Sequence, residues 1–356
     1  MLLNNITNRI AAGFRAVTGA MLVLACAAAG AAYPERGIRL VNPFPPTGPM
    51  EIAGSIATNK ILRVLQVYGA PSLTDGLAWR ASQVLSAGLA QPVSVDRRAR
   101  GRGIIGHRHV VFSAADGYTL IVSDTASLVI YPERAGDLGF DPAKDLAPVA
   151  IVATMPMVLA VGAQSSVLSV PQLIAQARSA PGRINLGSAG DFTVAHLALE
   201  SMRRSAGIEP LHVAYNGGTA AVNALIASQI VHAFVPLPSA LRYAHSGALR
   251  LLALAARERF PGLPQLPTME EAGVADVDAV TYYGFFAPAG TPARVIARLN
   301  SELVAGFNGE AGRRQLLAQG LQPAALSASE FAVALARERA RWAPFISALV
   351  ARDRAG

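Results

Sequence analysis

Four short stretches carry residue types suited to holding an anion without a buried cation: Pro43-Phe44-Pro45-Pro46-Thr47-Gly48, Ser123-Asp124-Thr125, Gly187-Ser188-Ala189-Gly190 and Tyr215-Asn216-Gly217-Gly218-Thr219. Their small residues leave backbone N–H groups open at the first turn of a following helix. Such amides, with the helix dipole behind them, attract a carboxylate or phosphate. Ser188 and Thr193 add hydroxyls to the third stretch, and Asp191 is placed to cap the helix that starts near Thr193. Taken singly, each turn is also what an ordinary α/β domain uses between strand and helix. Four of them in register with successive strands shift the reading towards a site.

Catalytic sets are missing. There is no Gly-x-Ser-x-Gly elbow and no His-Glu-x-x-His zinc helix. Gly101-Arg-Gly103-Ile-Ile-Gly106 matches a dinucleotide fingerprint, with Val93-Ser94-Val95 as its strand. No acidic residue follows at the distance needed to hold a ribose, however, and Arg97, Arg98, Arg100 and Arg102 crowd the loop. The arginine run reads as a solvated loop, the alternative being a site for a polyanion. His107 and His109 alternate as on a strand face, while His196, His212, His232 and His245 are scattered. With no carboxylates at metal spacing, they read as satisfied or exposed histidines, and no metal or other cofactor is expected.

The elements that position these turns follow from apolar periodicity. Strands are expected at Ile38–Val41, Val93–Val95, Thr119–Val122, Val158–Val161, Ile184–Leu186, Leu211–Val213, Ile230–Val235 and Leu249–Leu254. Helical spacing appears over Thr74–Ala87, Val170–Ser179, Thr193–Ala206, Thr219–Ala227 and Pro292–Phe307. The alternation indicates an α/β protein with largely parallel sheets, in which ligands bind beyond the strand ends.

The first 32 residues hold Arg9 and Arg15, no acid, an alanine-rich apolar run from Ala16 to Ala29 and a small-residue stretch ending at Ala32. That is the layout of a cleaved secretory signal peptide. An uncleaved anchor is the alternative, disfavoured because the run is shorter than the roughly 18 to 20 residues of a membrane span. Cys26, the only cysteine, lies within it and weakly matches a lipoprotein site, Leu24 being bulky for that position. Cleavage near Ala32 removes it, and with it any disulfide or thiolate chemistry. The formal charge of +8 falls to about +6 without the two arginines. In an exported protein this excess suits solubility or steering of anionic solutes better than nucleic-acid binding. The remaining length exceeds one ordinary core and suggests two lobes.

In chain order, Tyr33 to Pro46, Gln91 to Asp96, Ala115 to Leu120, Phe140 to Val149, Leu186 to Gly190 with His196, His212 to Gly217, Leu237 to Ala240, Leu266 to Gly273 and Tyr283 to Pro292 form a recognisable set. The chain resembles the extracytoplasmic receptors of the tripartite tricarboxylate transporter family, the Bug-type receptors. The resemblance implies a two-lobed periplasmic-binding-protein clamshell of type II-like build with two strand crossovers. Residues 33–155 plus 282–356 would form lobe one and 156–281 lobe two. It implies no catalysis, and a small organic acid held by amides, hydroxyls and waters. Position by position it points to Phe44, Pro46, Thr47 and Gly48, to Ser123 and Thr125, to Ser188, Ala189, Gly190 and Thr193, and to Tyr215, Asn216 and Gly217.

Four departures bear on the ligand. About twenty extra residues, with helical spacing at Ile52, Ile56, Leu62 and Leu65, form an insertion over about 49–72 directly after a ligand loop. The Arg97–Gly103 turn is unusually charged. Val235-Pro236 stands where many relatives have an Asp-Asn pair, which disfavours an amino-acid ligand, and Tyr131 and Met157 replace residues that are often asparagine. The expected role is a monomeric periplasmic receptor that hands a carboxylate to membrane transporter subunits. A sensor feeding a membrane-bound signalling protein and an exported enzyme on the same clamshell are the alternatives.

Overall fold

A computed structural model of the chain describes residues 33–44, 73–98, 103–135 and 138–355. The signal-like segment, Cys26, Pro46, Thr47, Gly48 and the 49–72 insertion lie outside these residues.

Two sheets share one long strand. The first holds β1 (Ile38–Asn42), β2 (Val93–Arg97), β3 (Thr119–Asp124), β9 (Val280–Pro288), the first part of β4 (Leu146–Gly162) and β10 (Gln322–Leu326). Its order is β2-β1-β3-β9-β4-β10, with β1 parallel to β2 and β3, and β9 antiparallel to β3 and β4. The second holds the rest of β4 with β5 (Asn185–Ser188), β6 (Leu211–Ala214), β7 (His232–Pro236) and β8 (Leu249–Ala255), in the order β8-β4-β7-β5-β6. Strand β4 changes partners between Pro156, which pairs with Val280, and Met157, which pairs with Pro236 and Ala255. The return crossover lies beside it, where Ala279 donates its N–H to Ala255 O and accepts from Met157.

Helices cover both faces of the parallel strands, so strands such as β3 and β7 are buried almost throughout. Helix α1 (Leu73–Leu89) buries Leu77, Ala81, Leu85 and Leu89. Helix α2 is Ile104–Val111, α3 Tyr131–Ala135, which continues a π-helical turn over Ala126–Ile130, and α4 Pro142–Asp145. Around the second sheet lie α5 (Val170–Ser179), α6 (Val194–Ala206), α7 (Gly218–Ile226) and α8 (Leu237–His245). Helix α9 (Ala293–Asn308) buries Val295, Leu299, Leu303 and Phe307, one residue per turn, against β4, and α10 (Glu310–Ala318) leads into β10. A separate cluster around Val158, Val222, Leu225, Val235, Leu254 and Phe260 fills one face of the second sheet.

The last helix, α11 (Ala328–Ala355), bridges the two halves. It begins with Phe331 against Phe286 of β9, ring centroids 5.1 Å apart. It passes the crossover, where Arg341 reaches Asp278, and ends with Arg352 at 3.4 Å from Glu200 of α6.

Two expectations are corrected here. The sheets are mixed rather than largely parallel, because the crossing strands β4 and β9 run antiparallel to every strand they pair with: β4 to β7, β8, β9 and β10, and β9 to β3. His107 and His109 are not on a strand: both lie in α2, and only His107 is buried. Gly103 starts this helix with φ 87°, and a Cβ at Gly106 would come within 2.7 Å of Pro43. The glycines thus bring the helix against the first strand's loop rather than around a dinucleotide.

Candidate functional site

Parallel pairing of β5 with β6 sets Ser188 opposite Ala214, so the two strands end together and α6 and α7 start side by side. Backbone bonds join the loops that follow. Tyr215 N–H donates to Ser188 O at 3.1 Å, and Gly217 N–H donates to Ala189 O at 3.1 Å. A side chain at Gly190, where φ is 127°, would meet Tyr215 O at 3.0 Å, so this approach requires glycine. Helix geometry leaves the first-turn amides of both helices, Val194 and Ala195 in one and Gly218 to Ala220 in the other, without a partner within their own helix. Two partial positive ends therefore lie next to each other.

The hydroxyls foreseen as ligand contacts have internal partners. Ser188 is fully buried, and its Oγ accepts Gly190 N–H at 3.1 Å and lies 2.7 Å from His212 Nε2. Thr193, rather than Asp191, caps α6: its Oγ1 accepts His196 N–H at 3.3 Å and donates to Gly190 O at 2.7 Å. Thr193 suits the task because it directly precedes the first helical residue, whereas Asp191 lies two residues too early. Asn216 is exposed, and Ala189, Tyr215 and Gly217 are half-buried.

On the other sheet, Ser123 and Thr125 are fully buried. Ser123 Oγ is 2.7 Å from His107 Nε2, and Thr125 Oγ1 accepts Tyr282 N–H at 2.8 Å. Phe44 is half-buried, its N–H donating to Asn42 Oδ1 at 3.2 Å, while Asn42 and Arg97 both donate to Asp75. The structure thus joins the 188–193 and 215–217 groups directly and sets 44, 123 and 125 on the neighbouring sheet. Met157 is buried at the strand switch and Tyr131 is half-buried.

Sequence spacing hides a further cluster. Asp191 and His196, from one loop and the helix it enters, and His212, from the next strand, converge beside a cleft of about 360 Å³ between α6, β6 and the end of α11. The imidazoles of His196 and His212 stack with centroids 3.9 Å apart. Burial, then the neighbouring His212 and Arg352, pushes His196 down to about 3, and burial also lowers His212 against the pull of Asp191 and Glu200. Arg134 of α3 lies over Phe192 at 4.1 Å, tying this loop to the first sheet.

The profile of the Tripartite tricarboxylate transporter family receptor, TctC, matches residues 77–350. The chain belongs to this family. It is a solute-binding protein and not an enzyme, with the two-lobed α/β fold of periplasmic solute-binding proteins. It is 34% identical over 276 residues to a UPF0065 protein in the tcbD-tcbE intergenic region of Pseudomonas sp. strain P51, covering 76% of this chain and 74% of that one. It is 30% identical over 312 residues to protein BugT of Bordetella pertussis, covering 87% and 88%. Among solved structures it is similar to R. palustris Rpa4515 with adipate, at 27% identity and a TM-score of 0.71, over 90% of this chain and 99% of that one.

Proposed function

We propose that this TctC-family receptor captures a small organic carboxylate in the periplasm and presents it to the membrane subunits of a tripartite tricarboxylate-type transporter. The observation that carries the reading is the pair of adjoining helix starts at α6 and α7. Their loops, 187–193 and 215–219, contain no lysine or arginine, so attraction for an anion comes from amides and dipoles. In this reading Ser188 and Thr193 act by fixing the loop that aims Ala189, Gly190 and the first-turn amides, and Tyr215, Asn216 and Gly217 complete that wall. The opposite wall is Phe44 to Gly48 with Ser123 and Thr125, on lobe one (33–155 plus 282–356) facing lobe two (156–281). Similarity to the adipate-bound R. palustris protein supports a dicarboxylate.

A thermal-shift screen of dicarboxylates, tricarboxylates, amino acids and neutral sugars on the chain from Tyr33 onwards tests this. A ligand present at 100 times its Kd stabilises by about 2.7 kcal/mol. At least one carboxylate, adipate being the first to try, is expected to raise Tm by several degrees. A response confined to sugars or cations would overturn the anion reading.

A further inference from the structure

We propose that Asp191, His196 and His212 form a binding site for a divalent transition-metal ion, set in the cleft behind the β5–α6 loop. The inference stands apart from the carboxylate reading, because it uses side chains and that reading uses amides. Three separate places in the chain supply the donors: the loop after β5, the first turn of α6 and strand β6. Asp191 Oδ1 lies 3.6 Å from His212 Nδ1 and 3.9 Å from His196 Nδ1, and one donor atom from each residue falls within 4.8 Å of the others. Donors about 2.0–2.1 Å from a tetrahedral metal are about 3.3 Å apart, so the two distances from Asp191 close with movements of a few tenths of an ångström, and the two imidazoles must in addition turn towards a shared point.

The orientation of each donor agrees with this use. His196 Nδ1 accepts Phe192 N–H at 3.2 Å, so it carries a lone pair and no proton. That lone pair is engaged by the Phe192 N–H, and Asp191 Oδ1 lies 3.9 Å from the same nitrogen. Loading exchanges the Phe192 bond for a metal bond and splays the two rings, now 19° from parallel, towards a shared point. His212 is held from behind by Ser188 Oγ at its other nitrogen, 2.7 Å away, the outer support that metal-bound imidazoles have. Phe192, buried with φ 55°, fixes Asp191 on the cleft side of the loop, where it is 59% exposed and reachable from solvent.

The ion pairing in the cleft is also suitable. Asp191, Glu200 and Asp353 line the cleft with Arg134 and Arg352; Glu200 is paired with Arg203 at 2.9 Å and with Arg352, whereas the ion pairs of Asp191 among the described residues are with His196 and His212. Two imidazoles and one carboxylate select Zn2+, Co2+ or Ni2+ over Ca2+ or Mg2+, which prefer all-oxygen sets. The cleft has room for waters at the remaining positions.

The test uses the untagged chain from Tyr33 onwards, freed of metal by a chelator, with Zn2+ followed by calorimetry and Co2+ by visible d–d absorption. One equivalent is expected to bind, with Co2+ giving the intense bands of a low-coordinate site that Zn2+ then displaces. D191N, at an exposed position that leaves packing intact, and H212Q should each weaken Zn2+ by more than tenfold, and S188A, acting through His212, by about tenfold. H245Q, at an exposed histidine of α8, should bind as the parent does. The proposal is overturned if the parent binds no stoichiometric Zn2+, if D191N and H212Q, folded by circular dichroism, bind it unchanged, or if H245Q abolishes binding.

Discussion

At the scale of single residues, His107 shows how a buried polar group ties two elements and makes their union depend on pH. Its Nδ1 lies 2.9 Å from Gly103 O, which only accepts, so Nδ1 carries the proton and Nε2 accepts from Ser123 Oγ–H at 2.7 Å. Phe140 stacks on the ring with centroids 6.2 Å apart. Burial lowers its pKa, with the Gly103 bond opposing, so the folded protein keeps it neutral while the unfolded chain takes a proton below about 6.5. The stability this group contributes is therefore full above that pH and declines as the pH falls beneath it. In H107Q the slope of unfolding free energy against pH, between about 6 and 4, should flatten by up to about 1.4 kcal/mol per pH unit, one proton's worth. Urea titrations across that range check it, and an unchanged slope would mean His107 is charged in the fold. Ser123 was legible in the sequence as a polar residue at a strand end. Its partner was not, because helical His107 sits beside His109 in a spacing that alternates as a strand does. The Asp191–His196–His212 cluster was hidden for a related reason: strand pairing brings His212 to the start of α6, and pairing leaves no mark on local spacing.

At the scale of elements, the glycine at the centre of β9 records how tightly α11 is docked. A Cβ on Gly284 would lie 2.5 Å from the Phe331 ring and 2.8 Å from Ala150 O, one wall being an aromatic side chain that is itself buried and the other the backbone of β4. Neither can retreat without shifting a helix or a strand. G284A should cost about 1–3 kcal/mol, as overpacking of a filled core does. F331L relieves the clash and should recover part of that loss in the double variant; simple additivity in urea denaturation would mean the two positions are not in contact. Elements with one strong period, β1, β3, β5, α6 and α9 among them, stand where apolar spacing placed them. Strand β4 was foreseen only over Val158–Val161, because Pro148 and Pro156 break its first half into fragments that do not read as a strand. Helix α11 is not legible in the sequence: its buried Phe331, Trp342, Ile346 and Leu349 do keep helical spacing, but the charged Glu338 is buried in the same stripe and Pro344 interrupts an arginine- and alanine-rich run.

At the scale of the whole molecule, two links join the sheets side by side: the β4 switch at Pro156–Met157 and the return at Ala279–Val280. The order of the first sheet was not readable beforehand, because β9 inserts between β3 and β4 from more than a hundred residues away. Two extended links of this kind bend with small changes in φ and ψ, the hinge mode of closure. Helix α11 adds a third link of weaker kind. Arg352 is 55% exposed, so its pairing with Glu200 is worth at most about 1 kcal/mol and does not lock the halves. Arg341 and Asp278 lie at the crossover itself, where rotation moves them least. Saturating the chain with a carboxylate found by the thermal screen should therefore lower the radius of gyration from about 20 Å, the value for a compact chain of this length. Small-angle X-ray scattering on the same sample, with and without ligand, measures it. A scattering curve that does not change at saturation would mean the guest binds one half alone, and a transporter would then have no closed shape to distinguish from the open one.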